Sequence, residues 1–257
     1  MASTPGILAF LRDKAIGADY GIGFYRKLRL LLRFRQNLKR VDTLSTLLEH
    51  LELAGAVLAL PRAVEGDVVE CGCYVGGSAV NLSLVCQLVG RRLIICDSFA
   101  GLPEPGQYDR AHEAVHTGHV DEYEEGLFAA PLEVTKGNIE RYGSLDTCDF
   151  LVGFFDETMP GFDRKVAMAF LDVDLIDSLR PCLKGLWPQL QPGCRFYLHE
   201  ARNLPLAAVF FDAPWWRENL DADAPGLVGA GSGLALRAVW GSELGYAQRD
   251  IAQAATS

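Results

Sequence analysis

A glycine-rich turn after a buried strand constrains the fold of this chain more than any other feature. The stretch Gly66–Ser78 reads GDVVECGCYVGGS. Its apolar first half is typical of a strand that is covered on both faces. Gly72, Gly76 and Gly77 then predict a turn in which no Cβ prevents a ligand from approaching the backbone. Ser78 is predicted to cap the helix that follows.

The glycine spacing and a neighbouring acid indicate which cofactor the turn suits. The order G-x-x-x-G-G differs from the G-x-G-x-x-G of dinucleotide-binding proteins. Glu70 ends the strand just before the turn, and its carboxylate repels a pyrophosphate and attracts a cation. S-adenosylmethionine carries a sulfonium and an ammonium but no phosphate. The pattern therefore favours S-adenosylmethionine, and it counts against a nicotinamide enzyme.

A second apolar strand, in the segment RRLIICDSF, ends in Asp97. An acid at this position of a βαβ unit can accept hydrogen bonds from both ribose hydroxyls. Glu70 and Asp97 could also be merely charged residues at strand ends, but the glycine turn between them favours the cofactor interpretation. The residues predicted to contact the cofactor are Glu70, Gly72, Tyr74, Val75, Gly76, Gly77, Ser78, Asp97, Ser98, Phe99, Phe155, Asp156 and Asp172.

Three further strands are predicted at Asp149–Phe155, Val166–Leu171 and Cys194–Leu198. Ser178 is predicted to cap a helix after the second of these. Strands that alternate with helices imply an α/β fold with a doubly wound, mostly parallel sheet and a site at the carboxyl ends of its strands. Gly226–Trp240 is predicted to form a closing hairpin.

Two carboxylates follow the strand Val166–Leu171, namely Asp172 and Asp174. Residues two apart on a strand point the same way, so both side chains could face one cavity. Methyl transfer to a hydroxyl requires a group that takes its proton, and this pair is the candidate. The alternative is that the pair only caps the next helix.

Four segments in order resemble one known family. They are ECGCYVGGS, DSFAGLP at Asp97–Pro103, GFFDETMP at Gly153–Pro160 and LDVDL at Leu171–Leu175. Together they resemble the macrocin (TylF-type) O-methyltransferases, which act on sugars of macrolides, aminocoumarins and related glycosides. The resemblance implies a Rossmann-like, class I methyltransferase with a seven-stranded sheet. It also implies that Asp172 binds a divalent metal and that Asp174 is the candidate base.

The resemblance breaks at one point of the implied metal site. The family has two adjacent aspartates after the fifth strand, whereas this chain has His199 and Glu200. Three outcomes stay open: Mg²⁺ held by Asp172 and Glu200, another divalent cation held with His199 as a ligand, or no metal and His199 as general base. Mg²⁺ prefers oxygen ligands, whereas imidazole suits transition metals.

The first 41 residues are predicted to form a basic helical arm, because they hold nine of the 24 Lys and Arg residues and only two acids. The arm packs on the domain or on a second subunit, or else it contacts a membrane surface or an acidic partner. Residues 42–257 are predicted to form the methyltransferase domain. The arm favours a homodimer or higher homo-oligomer.

Residues 101–130 are predicted to form a lid insertion, because this stretch is polar and has few apolar anchors. His112, His116 and His119 lie in it at helical spacing, but Gly118 and the lack of a nearby cysteine argue against a zinc site. Further on, Trp215 and Trp216 either line the acceptor pocket or pack on a surface helix.

The formal net charge of −9 argues against nucleic acid as a partner. No apolar run approaches the roughly 20 residues that span a bilayer, and the N-terminus lacks the pattern of a signal peptide. The seven cysteines form no C-x-x-C pair, which favours reduced thiols. We therefore expect a cytoplasmic protein with no membrane partner.

These features predict an S-adenosylmethionine-dependent O-methyltransferase that methylates a sugar hydroxyl of a glycosylated natural product in antibiotic biosynthesis. Its partner is a small-molecule glycoside acceptor. One alternative, suggested by His199 and Glu200, is a relative that binds the cofactor but has lost catalysis. Another is a phenolic or other small-molecule acceptor, because pocket shape decides between sugar and phenol.

Overall fold

The computed structural model describes residues 4–106, 109, 111–113, 120–236 and 242–250. Within these ranges the chain forms a central sheet, a short separate strand pair and nine α-helices. The strands are β1 Asp67–Cys71, β2 Leu93–Asp97, β3 Ala111–Glu113, β4 Val120–Glu122, β5 Cys148–Val152, β6 Val166–Leu171, β7 Leu190–Leu198 and β8 Gly245–Gln248. The helices are α1 Thr4–Arg12, α2 Phe24–Asn37, α3 Leu47–Ala59, α4 Gly77–Val89, α5 Leu132–Tyr142, α6 Phe155–Thr158, α7 Ile176–Leu186, α8 Leu204–Val209 and α9 Ala213–Leu220.

The strand order of the central sheet is β5-β2-β1-β6-β7-β8. All neighbours are parallel except β7 and β8, which are antiparallel. Strands β1, β2 and β5 extend the sheet in one direction, and β6, β7 and β8 extend it in the other. The order therefore reverses between β1 and β6, and a crevice opens at the carboxyl ends of these two strands. The predicted doubly wound, mostly parallel fold is confirmed.

The strand count differs from the prediction, since the described residues form six strands of the sheet and not seven. The predicted hairpin Gly226–Trp240 is absent from its described part. There, Val228 makes a single antiparallel bridge to Tyr246 of β8. Residues 229–233 turn sharply, with the Gly233 N–H donating to the carbonyl of Gly229. Among the residues that the structure describes here, no further strand pairs with β8 beyond this bridge.

Both faces of the sheet are buried, as the continuous apolar sequence of β6 predicts. All six residues of Val166–Leu171 are buried, and this strand has the predicted bounds. One apolar cluster joins the sheet to α2, α3 and α4, and the other joins it to α7, α8 and α9. These two clusters fix the strand ends that form the crevice.

The basic N-terminal segment is part of the core. Its apolar side chains, among them Leu31 and Phe34, are buried in the same cluster as those of α3 and α4. Lys27 is also buried, and its ammonium donates to the backbone carbonyl of Asp13. Helix α2 therefore packs on the domain, while its arginines lie toward solvent. The division at residue 41 remains a prediction.

Three element boundaries differ from the prediction for local reasons. Strand β5 ends at Val152, because Phe155–Thr158 forms a helical turn. Strand β7 begins at Leu190, four residues before the predicted start at Cys194, and includes Pro192 and Gly193. Helix α7 begins at Ile176, so Ser178 lies inside the helix and not at its cap.

The aromatic pair of α9 packs and does not line the main cavity. Trp216 is fully buried, its indole N–H donates to the carbonyl of Val209, and its ring contacts Trp187. Trp215 packs edge-on against Trp216. All seven cysteines are free and buried. Among the described residues, no helix is both long and apolar enough to cross a membrane.

Candidate active site

A cavity of about 430 Å³ lies at the carboxyl ends of β1, β2, β6 and β7. Eleven of the residues predicted for the site line it, namely Gly72, Tyr74, Gly77, Ser78, Asp97, Ser98, Phe155, Asp172, Asp174, His199 and Glu200. Five others do not line it, namely Glu70, Val75, Gly76, Phe99 and Asp156. The sheet thus brings the predicted cofactor, catalytic and metal residues to one place.

The glycine turn is tight because other backbone segments cross it. A Cβ on Gly72 would lie 1.8 Å from the carbonyl oxygen of Asp172, and its φ is +79°. A Cβ on Gly77 would lie 2.5 Å from the Cβ of Thr43. These two glycines are therefore required by the protein's own packing, in addition to any requirement of a ligand.

Glu70 lies beneath the glycine turn and is completely buried. The Ser78 hydroxyl donates a hydrogen bond to Oε1 of Glu70. Ser78 is thus not the cap of α4, since the helix already begins at Gly77. Burial raises the pKa of Glu70 to about 8, and the nearby Asp172 and Asp97 carboxylates contribute to the rise. In the ligand-free chain Glu70 is therefore mostly protonated at neutral pH.

Asp97 ties two turns of the cavity together. Its Oδ2 accepts from the Cys73 N–H at 2.7 Å, and its Oδ1 accepts from the Phe99 N–H at 2.7 Å. A carboxylate oxygen has two acceptor sites, so each oxygen can accept a second hydrogen bond from the cavity side. The predicted ribose contact is compatible with this geometry and remains a prediction.

Asp172, His199 and Glu200 form one cluster in which a ligand atom of each lies within 4.8 Å of the others. Nδ1 of His199 is 3.3 Å from Oδ1 of Asp172 and 3.8 Å from Oε1 of Glu200. Glu200 is 8% exposed, and neither of its carboxylate oxygens has a hydrogen-bond partner among the described residues. Two carboxylates and an imidazole with unsatisfied buried oxygens are a donor set that fits a divalent cation.

Without a cation the cluster redistributes protons. Burial raises the pKa of Glu200 well above its usual value, and the neighbouring Asp172 adds to this effect. Burial alone would raise the pKa of Asp172 and lower that of His199. Their mutual attraction outweighs burial, so the pKa of Asp172 falls and that of His199 rises. The contact between Asp172 and His199 thus favours the charged form of both groups, whereas burial favours the neutral form of Glu200.

The second nitrogen of His199 also has a partner, because the Ser45 hydroxyl lies 3.3 Å from Nε2. Ser45 is buried in the loop between α2 and α3. Nδ1 of the imidazole is thus directed to the carboxylates and Nε2 to a hydroxyl. Nδ1 is therefore the nitrogen of His199 that could bind a cation held by these carboxylates.

Asp174 lines the cavity in an unusual backbone conformation, with φ +60°. Strand β6 ends at Leu171, so Asp172 and Asp174 do not share a strand, although both line one cavity as expected. The Tyr123 hydroxyl donates to Oδ1 of Asp174 at 3.0 Å. The contact joins Asp174 to the predicted insertion.

Sequence patterns missed several residues that line the cavity. These are Asp42, Thr43, Leu44, Leu102, Tyr123, Phe128, Phe154, Val173, Arg202, Asn203 and Glu243, among others. Leu102, Phe154 and Val173 lie within the family segments but are not among the predicted contact residues. The others come from loops that the motifs do not mark, such as the α2–α3 loop. The guanidinium of Arg202 pairs with Glu243 at 2.6 Å. Tyr123 and Phe128 lie in residues 101–130, and the predicted lid insertion is the sequence feature that pointed toward them.

The histidines of the insertion cannot be placed in this site. His116 and His119 lie outside the described residues, and only the backbone of His112, in β3, is described. The role of these histidines therefore remains a prediction from sequence.

Comparisons with known proteins agree with the fold and identify the family. The family model of macrocin O-methyltransferases (TylF) matches residues 40–205. A tetracenomycin-C rhamnosyl 4′-O-methyltransferase from Streptomyces olivaceus is 33% identical in an alignment of 202 residues. The match covers 70% of this chain and 73% of that protein. A mycinamicin III 3″-O-methyltransferase from Micromonospora griseorubida is 30% identical over 164 residues, 56% of this chain and 63% of that protein.

Solved structures show the same architecture. The O-methyltransferase NovP superposes with a TM-score of 0.61 at 20% identity, over 96% of this chain and 99% of its own. The calicheamicin methyltransferase CalS11 gives 0.53 at 18% identity, over 86% and 92%. The sheet order defines a Rossmann-like methyltransferase fold, and the family match makes the protein an S-adenosylmethionine-dependent O-methyltransferase. The chain belongs to the macrocin O-methyltransferase family.

Proposed function

We propose that this enzyme transfers a methyl group from S-adenosylmethionine to a sugar hydroxyl of a glycosylated natural product. The two curated relatives are named for methylation of a sugar position on an antibiotic. The observation that carries the proposal is the pair Asp172 and Asp174, which lines the same cavity as the glycine turn and Asp97. A methyl donor and a hydroxyl can therefore meet beside a carboxylate.

The cofactor half of the cavity is formed by the turn after β1 and the end of β2. Gly72 and Gly77 line this half of the cavity, and Asp97 is oriented by two backbone N–H groups. Asp97 accepts the ribose hydroxyls, and Glu70 supports the turn from below through Ser78. S-adenosylmethionine supplies an electrophilic methyl group on its sulfonium.

The acceptor half of the cavity centres on Asp174. A sugar hydroxyl has a high pKa, so its proton must leave as the new bond forms. Asp174 takes this proton, because its carboxylate lines the cavity and the Tyr123 hydroxyl fixes its orientation. Aromatic residues of the cavity wall, such as Phe128 and Phe155, keep water away from the reacting atoms.

Asp172, His199 and Glu200 would hold a divalent cation next to this base. Such an ion supplies positive charge that lowers the pKa of a nearby hydroxyl. His199 contributes Nδ1, since this nitrogen faces both carboxylates while Nε2 meets Ser45. We favour this ligand role of His199 over that of general base. An imidazole beside two carboxylates suits Mn²⁺ or a similar transition metal at least as well as Mg²⁺.

The test is transfer of labelled methyl from S-adenosylmethionine to a panel of sugar-bearing and phenolic acceptors, with and without EDTA. We expect label on glycosides, loss of transfer with EDTA and recovery with Mn²⁺ or Mg²⁺. Asp174→Asn should abolish transfer, while Asp163→Asn, which changes an exposed carboxylate outside the cavity, should not. Label on phenols alone would contradict the sugar assignment. Full activity of Asp174→Asn would contradict the base assignment.

A further inference from the structure

The N-terminus of α7 lies directly after the turn that carries Asp172 and Asp174. Helix α7 begins at Ile176, and its N-cap residue Leu175 provides no side-chain hydrogen bond. The first N–H groups of a helix have no partner within the helix. A helix that starts beside a catalytic turn therefore needs an acceptor from elsewhere in the chain.

Asp109 supplies this acceptor from a position more than 60 residues away. Its Oδ1 accepts from the Ile176 N–H at 2.9 Å, and its Oδ2 accepts from the Asp177 N–H at 3.3 Å. Asp109 is only 1% exposed. A carboxylate at this end of a helix is also favoured by the helix dipole. One buried side chain thus satisfies two N–H groups of the first turn of α7.

Gly106 lies beside the same helix end. The Asp109 N–H donates to the carbonyl of Gly106. A Cβ on Gly106 would lie 2.3 Å from Oδ2 of Asp177. Gly106 therefore passes close to the first turn of α7, which Asp109 caps.

The turn between β6 and α7 requires such support. Asp174 has φ +60°, a conformation that non-glycine residues rarely adopt. The next residue, Leu175, donates its N–H to the carbonyl of Val173 in a very short turn. Strand β6 fixes one end of the turn, and the contacts of Asp109 fix the other. Residues in sparsely populated conformations persist only where the surrounding structure determines them.

We propose that Asp109 is a positioning residue for methyl transfer, which holds the first turn of α7 so that Asp174 keeps its strained orientation toward the acceptor. Tyr123, also within residues 101–130, contacts Oδ1 of Asp174 directly. The predicted insertion thus supports the catalytic turn at two points. This inference rests on the proposed role of Asp174.

The test compares Asp109→Ala with Asp212→Ala. Asp212 is a matched control, because its Oδ1 caps α9 by accepting from the Trp215 N–H, and α9 does not line the cavity. We expect Asp109→Ala to lower kcat by about tenfold or more and to leave the Kd for S-adenosylhomocysteine unchanged. Asp212→Ala should lower the melting temperature but not kcat. Asp109→Asn, which keeps an acceptor for Ile176, should restore part of kcat.

Amide hydrogen exchange provides a second readout that needs no turnover. Exchange within residues 172–178 should be faster in Asp109→Ala than in the wild type, and it should be unchanged in Asp212→Ala. Unaltered exchange in this segment, or equal losses of kcat in both alanine variants, would overturn the inference. If the wild type methylated no glycoside, the proposed function would fail, while the exchange data would still decide the role of Asp109 in holding the turn.

Discussion

Replacing the buried Glu70 with glutamine should make the protein more stable at alkaline pH. The pKa of Glu70 is about 8 in the folded chain because of burial, compared with 4.5 for an ordinary glutamate. A carboxyl group with a raised pKa in the folded state stabilises the fold fully below pH 4.5, and this stabilisation is lost as pH rises through about 8. Since each pH unit of that interval corresponds to about 1.4 kcal/mol, the loss is about 5 kcal/mol, of which about 3 has occurred by pH 7.

Urea denaturation of wild type and Glu70→Gln between pH 4 and pH 9 measures this effect. The amide oxygen of glutamine can still accept from Ser78, so the variant keeps the hydrogen bond without the charge. The difference between the two proteins is the informative quantity, because His50 acts in the opposite direction: burial lowers its pKa to about 4. Glu140→Gln, at an exposed position, is the control. Parallel stability curves for wild type and Glu70→Gln would refute the reasoning.

Four further results are expected. Asp97→Asn should weaken binding of S-adenosylhomocysteine by about tenfold or more in calorimetry, since the ribose hydroxyls lose a charged acceptor and one of the two backbone N–H groups loses its acceptor oxygen; unchanged affinity would contradict the ribose assignment. Glu200→Gln should weaken Mn²⁺ binding by about tenfold or more in electron paramagnetic resonance titrations, and equal affinity would exclude Glu200 as a ligand. Trp216→Ala should lower the free energy of unfolding by about 3–5 kcal/mol without changing cofactor affinity. Gly72→Ala should not yield a native fold, because the new Cβ would overlap the Asp172 carbonyl; a normal melting curve would contradict this.

The parts of the fold that sequence predicts well are those whose signals are local. The unbroken apolar run Val166–Leu171 gives a strand with the predicted bounds, because both faces of a parallel sheet are buried. The acid–glycine turn and Asp97 come together as predicted, since both follow neighbouring parallel strands. In each case the pattern lies within a few residues and depends on no distant partner.

The parts that sequence does not predict depend on contacts between distant segments. Nothing near Ser45 marks it as a partner of His199, and nothing near Asp109 marks it as the cap of α7. Ser78 fits the rule for a helix cap, but a buried Glu70 eight residues earlier takes its hydroxyl. Local capping rules assume that the side chain has no stronger partner, and that assumption fails around a buried carboxyl group.

Three strained residues show how the fold prepares the cavity. Tyr74, Phe99 and Asp174 have φ values of +49°, +55° and +60°, and each lies two or three residues after the end of β1, β2 or β6. Such conformations cost about 1–3 kcal/mol each. The cost is borne before any ligand binds, so the turns are already set in shape when cofactor and acceptor arrive.

Side chains restrain these turns, and all of the contacts except that between Asp97 and Phe99 come from distant segments. Asp97 accepts from the N–H groups of both Cys73 and Phe99, Thr135 donates to the carbonyl of Tyr74, and Asp109 caps the helix after Asp174. Because methyl transfer depends on the relative position of three atoms, a misplacement of about 1 Å reduces its rate strongly. Loss of any one restraint should therefore lower kcat even where the free energy of unfolding changes little.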